Sequence, residues 1–203
     1  MTATISLPPP SQKGEMSLEE SIAKRRSIRD FSSEPITKSE LSQILWAAQG
    51  ITDTSSKARS VPSAGATYPL EIFVVCGKKC VEGIDAGIYY YDLNSHSLAL
   101  QHEGDGRLEL AKASVFQRSI LEAPVSIVIC AVNVRTTYGY GSRGERYVHI
   151  EVGHAGQNIY LQATALGLGT VAVGAFQDEQ VREVLKLDKE YEPLYIMPVG
   201  RPK

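Results

Sequence analysis

Val125-Ser126-Ile127-Val128-Ile129-Cys130-Ala131-Val132 is apolar nearly from end to end, and its reading decides the fold class. A strand with one wet face alternates apolar and polar residues. A run without that alternation is buried on both faces and belongs at the centre of a sheet. Glu71–Cys76 reads as a second buried strand, Gly87–Asp92 as another, and Ser97–Gln101 as its hairpin partner. Within Gly87–Asp92 the period of two puts Tyr89 and Tyr91 on one face and Ile88 and Tyr90 on the other. Thr170–Gly174 and Leu194–Val199 complete the strands, with a short helix over Asp178–Lys186 between them.

Helices flank these strands along the chain. Ser17 with Glu20, and Thr37 with Glu40, are capping boxes, each able to satisfy two orphan amides at a helix start. Leu18, Ile22 and Ala23 give the first helix a narrow apolar face. Ile36 and Leu41 staple the second, whose Leu41, Ile44, Leu45 and Ala48 recur at helical spacing up to Gly50. Leu108–Leu121 reads as helical, and Val148–Leu166 as a long helix studded with small residues. Thr52–Ser60 reads as a polar, mobile loop, Val61–Pro69 as an irregular one and Asn133–Arg146 as a long Gly/Tyr/Arg loop. No repeat or linker interrupts the pattern. The expectation is an α+β fold, one domain over residues 15–203 with a mixed, mostly antiparallel sheet between helices. Residues 1–14, with Pro8-Pro9-Pro10, read as an extended arm, loose or draped over the body.

The chain has 203 residues, a net charge of -2 and 43% hydrophobic residues, which suits a globular domain and gives no general field for nucleic acid or anionic lipid. Cys76 and Cys130 sit in apolar runs, and with Cys80 they match no zinc spacing, so a reducing cytoplasm is the expected compartment. No apolar run is long enough to span a membrane. His96, His102, His149 and His154 show no metal spacing, and the chain has no GxGxxG after a strand, no phosphate-loop lysine and no GxSxG elbow.

Chemistry concentrates in a few segments instead. Arg25-Arg26-Ser27-Ile28-Arg29 places three guanidiniums within five residues. If helical, Arg25 and Arg29 share a face and repel, which an anion between them would relieve; alternatively the cations complement a helix C-terminus. Pro62-Ser63-Ala64-Gly65-Ala66-Thr67-Tyr68-Pro69 is a stiff loop of small residues that allows close backbone approach to a flat or anionic ligand, or is an ordinary connection. Gly153-His154-Ala155-Gly156-Gln157-Asn158 gives the long helix a thin face for another helix or a planar ring. Gly167–Phe176 ends a strand in bare main chain at Gly174-Ala175, and Gly200-Arg201 adds a further guanidinium.

In order and spacing these segments, spread over nearly the whole chain, resemble the nitroreductase family of FMN-dependent oxidoreductases. Pro62–Pro69 followed by Gly87-Ile88-Tyr89-Tyr90-Tyr91-Asp92 is most similar to the SagB-type dehydrogenase branch, which includes enzymes oxidising azolines in modified peptides. The resemblance implies a nitroreductase-like α/β sandwich forming an intertwined homodimer, with FMN at the subunit interface and NADH or NADPH as transient hydride donor. It implies that Arg25, Arg26, Ser27 and Arg201, next to Gly200, hold the phosphate, and that Arg29 reaches the pyrimidine edge. Pro62, Ser63, Ala64, Gly65 and Ala66 would line the partner's flavin, Gln117 would contact the pyrimidine, and Val173, Gly174 and Ala175 would face N5. No side chain need act as nucleophile, because the flavin does the redox chemistry. Tyr68, Tyr138, Tyr140 and Arg143 would shape a pocket for a small acceptor such as a nitroaromatic or quinone. The azoline-oxidising members carry a Lys-Tyr pair where this chain has Gly139-Tyr140, which argues against azoline oxidation. A SagB-like azoline dehydrogenase and a non-catalytic flavin-binding protein are the alternatives.

Overall fold

A computed structural model describes residues 4–203. The first three residues of the expected arm lie outside the described part. The core is a seven-stranded sheet built from β1 (Thr4–Ser6), β4 (Leu70–Cys76), β5 (Gly87–Asp92), β6 (Ser97–Glu103), β7 (Val125–Ala131), β8 (Gly169–Thr170) and β9 (Glu192–Gly200), in the order β1-β6-β5-β4-β7-β9-β8. Each neighbouring pair of strands is antiparallel, and parallel pairing enters through the isolated bridges Ser27–Thr170 and Ile36–Val81. β2 (Ile51–Asp53) and β3 (Ala58–Arg59) form a separate hairpin, so the stretch expected to be a mobile loop is partly paired.

β7 lies between β4 and β9, and its two faces feed two cores. Val125, Ile127, Ile129 and Ala131 pack into one core with Leu41, Ile44 and Leu45 of α2 (Lys38–Gln49) and Val148, Val152, Ala155 and Ile159 of α6 (Arg143–Ala165). Val128 and Cys130 pack into the other with α3 (Arg107–Ala113), α4 (Arg118–Glu122) and α7 (Asp178–Leu185). The double burial that made Val125–Val132 apolar is therefore the helix–sheet–helix layering itself. Tyr89 and Tyr91 join the first core, Ile88 joins the second and Tyr90 packs against it.

Both capping boxes form, with Ser17 and Thr37 each accepting from the glutamate amide three residues on. Three elements depart from the expectation. The helix expected over Leu108–Leu121 is two helices, broken where Val115 and Phe116 both take positive φ (53°) and Ser114 returns its hydroxyl to the Leu110 carbonyl. The loop expected over Asn133–Arg146 is largely helical, forming α5 (Val134–Tyr140) and the first turn of α6. Arg135 anchors α5 to the buried Glu71 of β4 at 2.6 Å, and Gly141 (φ 57°) makes the corner into α6. Ordered edge pairing also stops sooner than expected after Thr170, with only the bridge Val173–Ile196 beyond it.

The arm is draped in cis. β1 adds an edge strand to β6, and the Pro8 carbonyl accepts from Ser42 Oγ at 2.6 Å while His96 Nε2 lies 3.0 Å from it. Tyr91 Oη sits 2.8 Å from His96 Nδ1. α1 (Leu18–Lys24) buries only Ser21; Leu18 and Ile22, its expected apolar face, are exposed on the single chain at 61% and 56%. Cys76 and Cys130 are buried, and burial raises the Cys76 thiol to about 12, so both behave as small hydrophobes.

Candidate functional site

α6 organises the site, because its two outward flanks meet different loops. Residues 149, 153, 156 and 160 recur at helical spacing along one flank, and 147, 151, 154 and 158 along the other.

The first flank receives the arginine segment and the 170–176 strip. α1 ends at Lys24, with Arg25 as its C-cap, so Arg25–Arg29 is extended rather than helical. The argument from a shared helical face for Arg25 and Arg29 is thereby corrected. Ser27 bridges Thr170, and the Ile28 amide donates to the Thr170 carbonyl at 2.9 Å. This close approach needs Gly169: a Cβ there would stand 2.7 Å from the Ile28 Cβ. Tyr160 closes the flank. Its hydroxyl accepts from the Ala172 amide at 2.8 Å and shares a 2.9 Å hydrogen bond with Ser27 Oγ, while the Arg25 guanidinium lies over its ring at 5.2 Å. Further along, His149, Val152, Gly174, Phe176 and Tyr195 line a cavity of about 290 Å³. Gly174 and Ala175 are exposed there, and Val173 is turned into the second core. A Cβ at Gly153 would meet nothing, so this length of helix presents open backbone.

The other expected flank residues divide. Among the described residues no carboxylate comes within ion-pair distance of Arg25 or Arg29. Arg26 folds back to donate to the Ala23 and Arg25 carbonyls. Arg201, next to Gly200 at the end of β9, is already neutralised: its Nη2 lies 3.0 Å from Glu40 Oε1 and its Nε 3.6 Å from Glu34. Arg201, expected at the phosphate, is therefore paired with Glu40 of the α2 capping box and with Glu34. Gln117 caps α4 beside the broken turn.

The second flank receives the Pro62–Tyr68 loop. Gly65, Ala66 and Tyr68 all take left-handed backbone (φ 58°, 52° and 47°), a concentration that costs about 1 kcal/mol or more for each non-glycine residue and is typical of a loop held for function. The Ser63 hydroxyl accepts from the Tyr68 amide at 2.9 Å, and the Tyr68 ring covers the Arg59 guanidinium at 4.3 Å. Tyr140 places its hydroxyl against Gly65, where a Cβ would come within 2.6 Å, and packs edge-on to Tyr147 at 5.2 Å. Arg143 and Tyr138 are exposed and point to no partner among the described residues. Pro62, Ser63, Ala64, Tyr147, Ile150, Glu151 and His154 line a cavity of about 240 Å³.

Two residues on these flanks escaped the sequence reading, Tyr160 and Glu151. Each stands at i+4 or i+7 from a residue of the thin helical segment or the tyrosine loop, which is the signal that could have found them. Glu151 is 3% exposed, its Oε1 lacks a hydrogen-bond partner, and burial raises its carboxyl above the ordinary range against the pull of Ser63 and Arg59.

The donor set suits a phosphorylated planar cofactor. It offers the Arg25 guanidinium and Ser27 at one end, open helix backbone in the middle, and glycine main chain at the other.

The Nitroreductase family model matches residues 22–201. A Methanocaldococcus jannaschii protein carrying a nitroreductase name is 52% identical over 187 residues, 92% of either chain. The microcin B17-processing protein McbC of Escherichia coli is 26% identical over 79% of this chain and 60% of its own length. A crystal structure of a Ralstonia eutropha protein with a nitroreductase name superposes with a TM-score of 0.86 at 27% identity, covering 98% of this chain and 90% of that one. With its fold, its matched segments and these relatives in agreement, the chain belongs to the nitroreductase family.

Proposed function

We propose that this chain is an FMN-dependent oxidoreductase, working as a homodimer, that carries hydride from NADH or NADPH to a small oxidised acceptor such as a nitroaromatic or quinone. One observation carries the reading: among the described residues Arg25 has no carboxylate partner, and it lies over Tyr160 at one end of a flank that runs past Gly153 to bare main chain at Gly174–Ala175. Arg25 and Ser27 hold the phosphate, with Arg26 beside them. Tyr160 fixes both by pinning Ser27 to the Ala172 amide. Arg29 meets the pyrimidine edge, where it favours negative charge on the ring. Gly174 and Ala175 present main-chain groups toward N5, and Gln117 stands near the pyrimidine. When bound, FMN would supply the hydride chemistry. Pro62–Ala66 line the partner's flavin, and Leu18 and Ile22, exposed on the single chain, are covered at the subunit seam. Arg201 is left to hold α2 through Glu40.

A second reading is favoured by the McbC relative: oxidation of an azoline in a modified peptide. Tyr140 suits a base position against Gly65, yet Gly139 stands where that branch carries its lysine. A tyrosine without a cationic neighbour is the poorer base, so the acceptor-reducing function is preferred.

The test is spectroscopic. Purified protein incubated with FMN and desalted should stay yellow, bleach on anaerobic addition of NADH or NADPH, and recolour on addition of 1,4-benzoquinone. Protein that stays colourless contradicts the proposal. Bound FMN that neither nicotinamide reduces supports a non-catalytic flavin-binding protein.

A further inference from the structure

Glu151 is the feature of the loop flank that the proposed function leaves unused. Glu151 lines the 240 Å³ cavity together with Pro62, Ser63 and Ala64 of the loop that would line a flavin. It is 3% exposed, and its Oε1 has no hydrogen-bond partner among the described residues. A buried carboxyl oxygen without a partner costs free energy, so its retention needs a compensating role.

The charges around it are sparse. From β3, Arg59 acts on it as a cation, but that guanidinium donates to Gln49 Oε1 at 2.9 Å and stacks on Tyr68, and among the described residues it forms no ion pair with Glu151. From the loop, Ser63 lines the same cavity, and its hydroxyl pulls the carboxyl's pKa down. On α6 itself, Tyr147 and His154 stand one turn before and after it on the cavity wall. Burial outweighs Ser63 and Arg59, so the carboxyl keeps its proton to a higher pH than an ordinary glutamate. His154 is exposed, which leaves the cavity a wet edge for proton return.

Resting on the function proposed above, we propose that Glu151 is the general acid of this cleft, delivering a proton to an oxygen of the acceptor. For a quinone the step balances as follows. The acceptor takes a hydride from the reduced cofactor, itself reduced by a nicotinamide, and one acceptor oxygen takes the proton from Glu151. The quinone leaves as a hydroquinone, the cofactor returns to its oxidised form, and the Glu151 carboxylate recovers a proton from water. The acceptor class this selects is a single planar ring bearing oxygen, which suits a cavity of this volume.

The test uses the FMN-loaded protein, fully reduced under anaerobic conditions and mixed rapidly with 1,4-benzoquinone across a pH series. The wild-type reoxidation rate should fall as pH rises through the raised pKa of the carboxyl. Glu151→Gln, which keeps the shape of the side chain, should react on the order of 10²-fold more slowly at pH values where the wild-type carboxyl holds its proton, and lose that pH dependence. A second readout needs no turnover: the infrared band of a protonated carboxyl should persist in the wild type to a pH above the ordinary glutamate value of 4.5 and be absent from Glu151→Gln. Glu151→Asp should restore part of the pH dependence. Wild-type protein that holds no FMN overturns the reading on which the inference rests. FMN bound and reduced, with the same reoxidation profile in Glu151→Gln or no carboxyl band to lose, overturns the inference alone.

Discussion

The two flanks of α6 are held by opposite means. The Arg25/170–176 flank is held by hydrogen bonds between separate segments, and its cations are left unneutralised. The Pro62–Tyr68 flank is held by strained backbone and packed tyrosines, and its one buried acid is left unpartnered. The first flank is built for charge and the second for shape and proton control. A flavin has both, a dianionic tail and a flat apolar ring, so on the proposed function one helix with two unlike sides would serve a cofactor lying between two subunits.

The comparison breaks most sharply at Arg25. Arg25→Ala should weaken FMN binding by roughly 10- to 100-fold, the loss expected for a charge-assisted contact of about 1.5–3 kcal/mol, measured by quenching of FMN fluorescence. Arg201→Ala should change FMN affinity less than about twofold, because its charge is spent on Glu40 and Glu34. Equal losses in the two variants would remove the distinction drawn within the flank. Tyr160→Phe should destabilise the fold by about 1–3 kcal/mol in denaturant unfolding, since the Ala172 amide and Ser27 lose a shared partner.

On the loop flank, Gly65→Ala forces a Cβ into left-handed backbone and toward the Tyr140 hydroxyl, at a cost of about 1–2 kcal/mol. A neutral effect would show that the loop is not held as described. The smallest effects are in pH. A glutamate with a raised folded pKa is protonated in the folded chain where the unfolded chain has already released its proton. Its contribution is complete below the ordinary value of 4.5 and is lost as pH rises through the folded pKa. Relative to Glu151→Gln, the wild type should therefore lose thermal stability as pH rises above 4.5 and through the raised folded value. His96, at the arm, has the opposite sign. Burial lowers its pKa from 6.5, so the folded chain excludes a proton the unfolded chain takes up, and stability is lost as pH falls below that value. Melting curves of wild type and Glu151→Gln across pH check both directions.

The sheet was legible in the sequence because double burial writes itself as an unbroken apolar run in Val125–Val132, and single-sided burial as the Tyr89/Tyr91 alternation. The capping boxes were legible because they are local. What escaped was set by distant partners. Asn133–Tyr140 looks like a loop by composition, and becomes α5 once Arg135 finds Glu71 on a strand more than sixty residues earlier. Arg201 looked like a free cation because Glu40 lies far from it in sequence. Glu151 offered only its helical spacing, since burial and an unpartnered oxygen are properties of the fold.

The central claim is that two copies of this chain clasp FMN between the arginine flank of one and the strained loop of the other. Native mass spectrometry after incubation with FMN and desalting tests it most directly. The account predicts a species of two chains carrying two FMN molecules, shifted toward cofactor-free protein by Arg25→Ala. A single chain that retains FMN unaided, or a dimer that retains none, contradicts it.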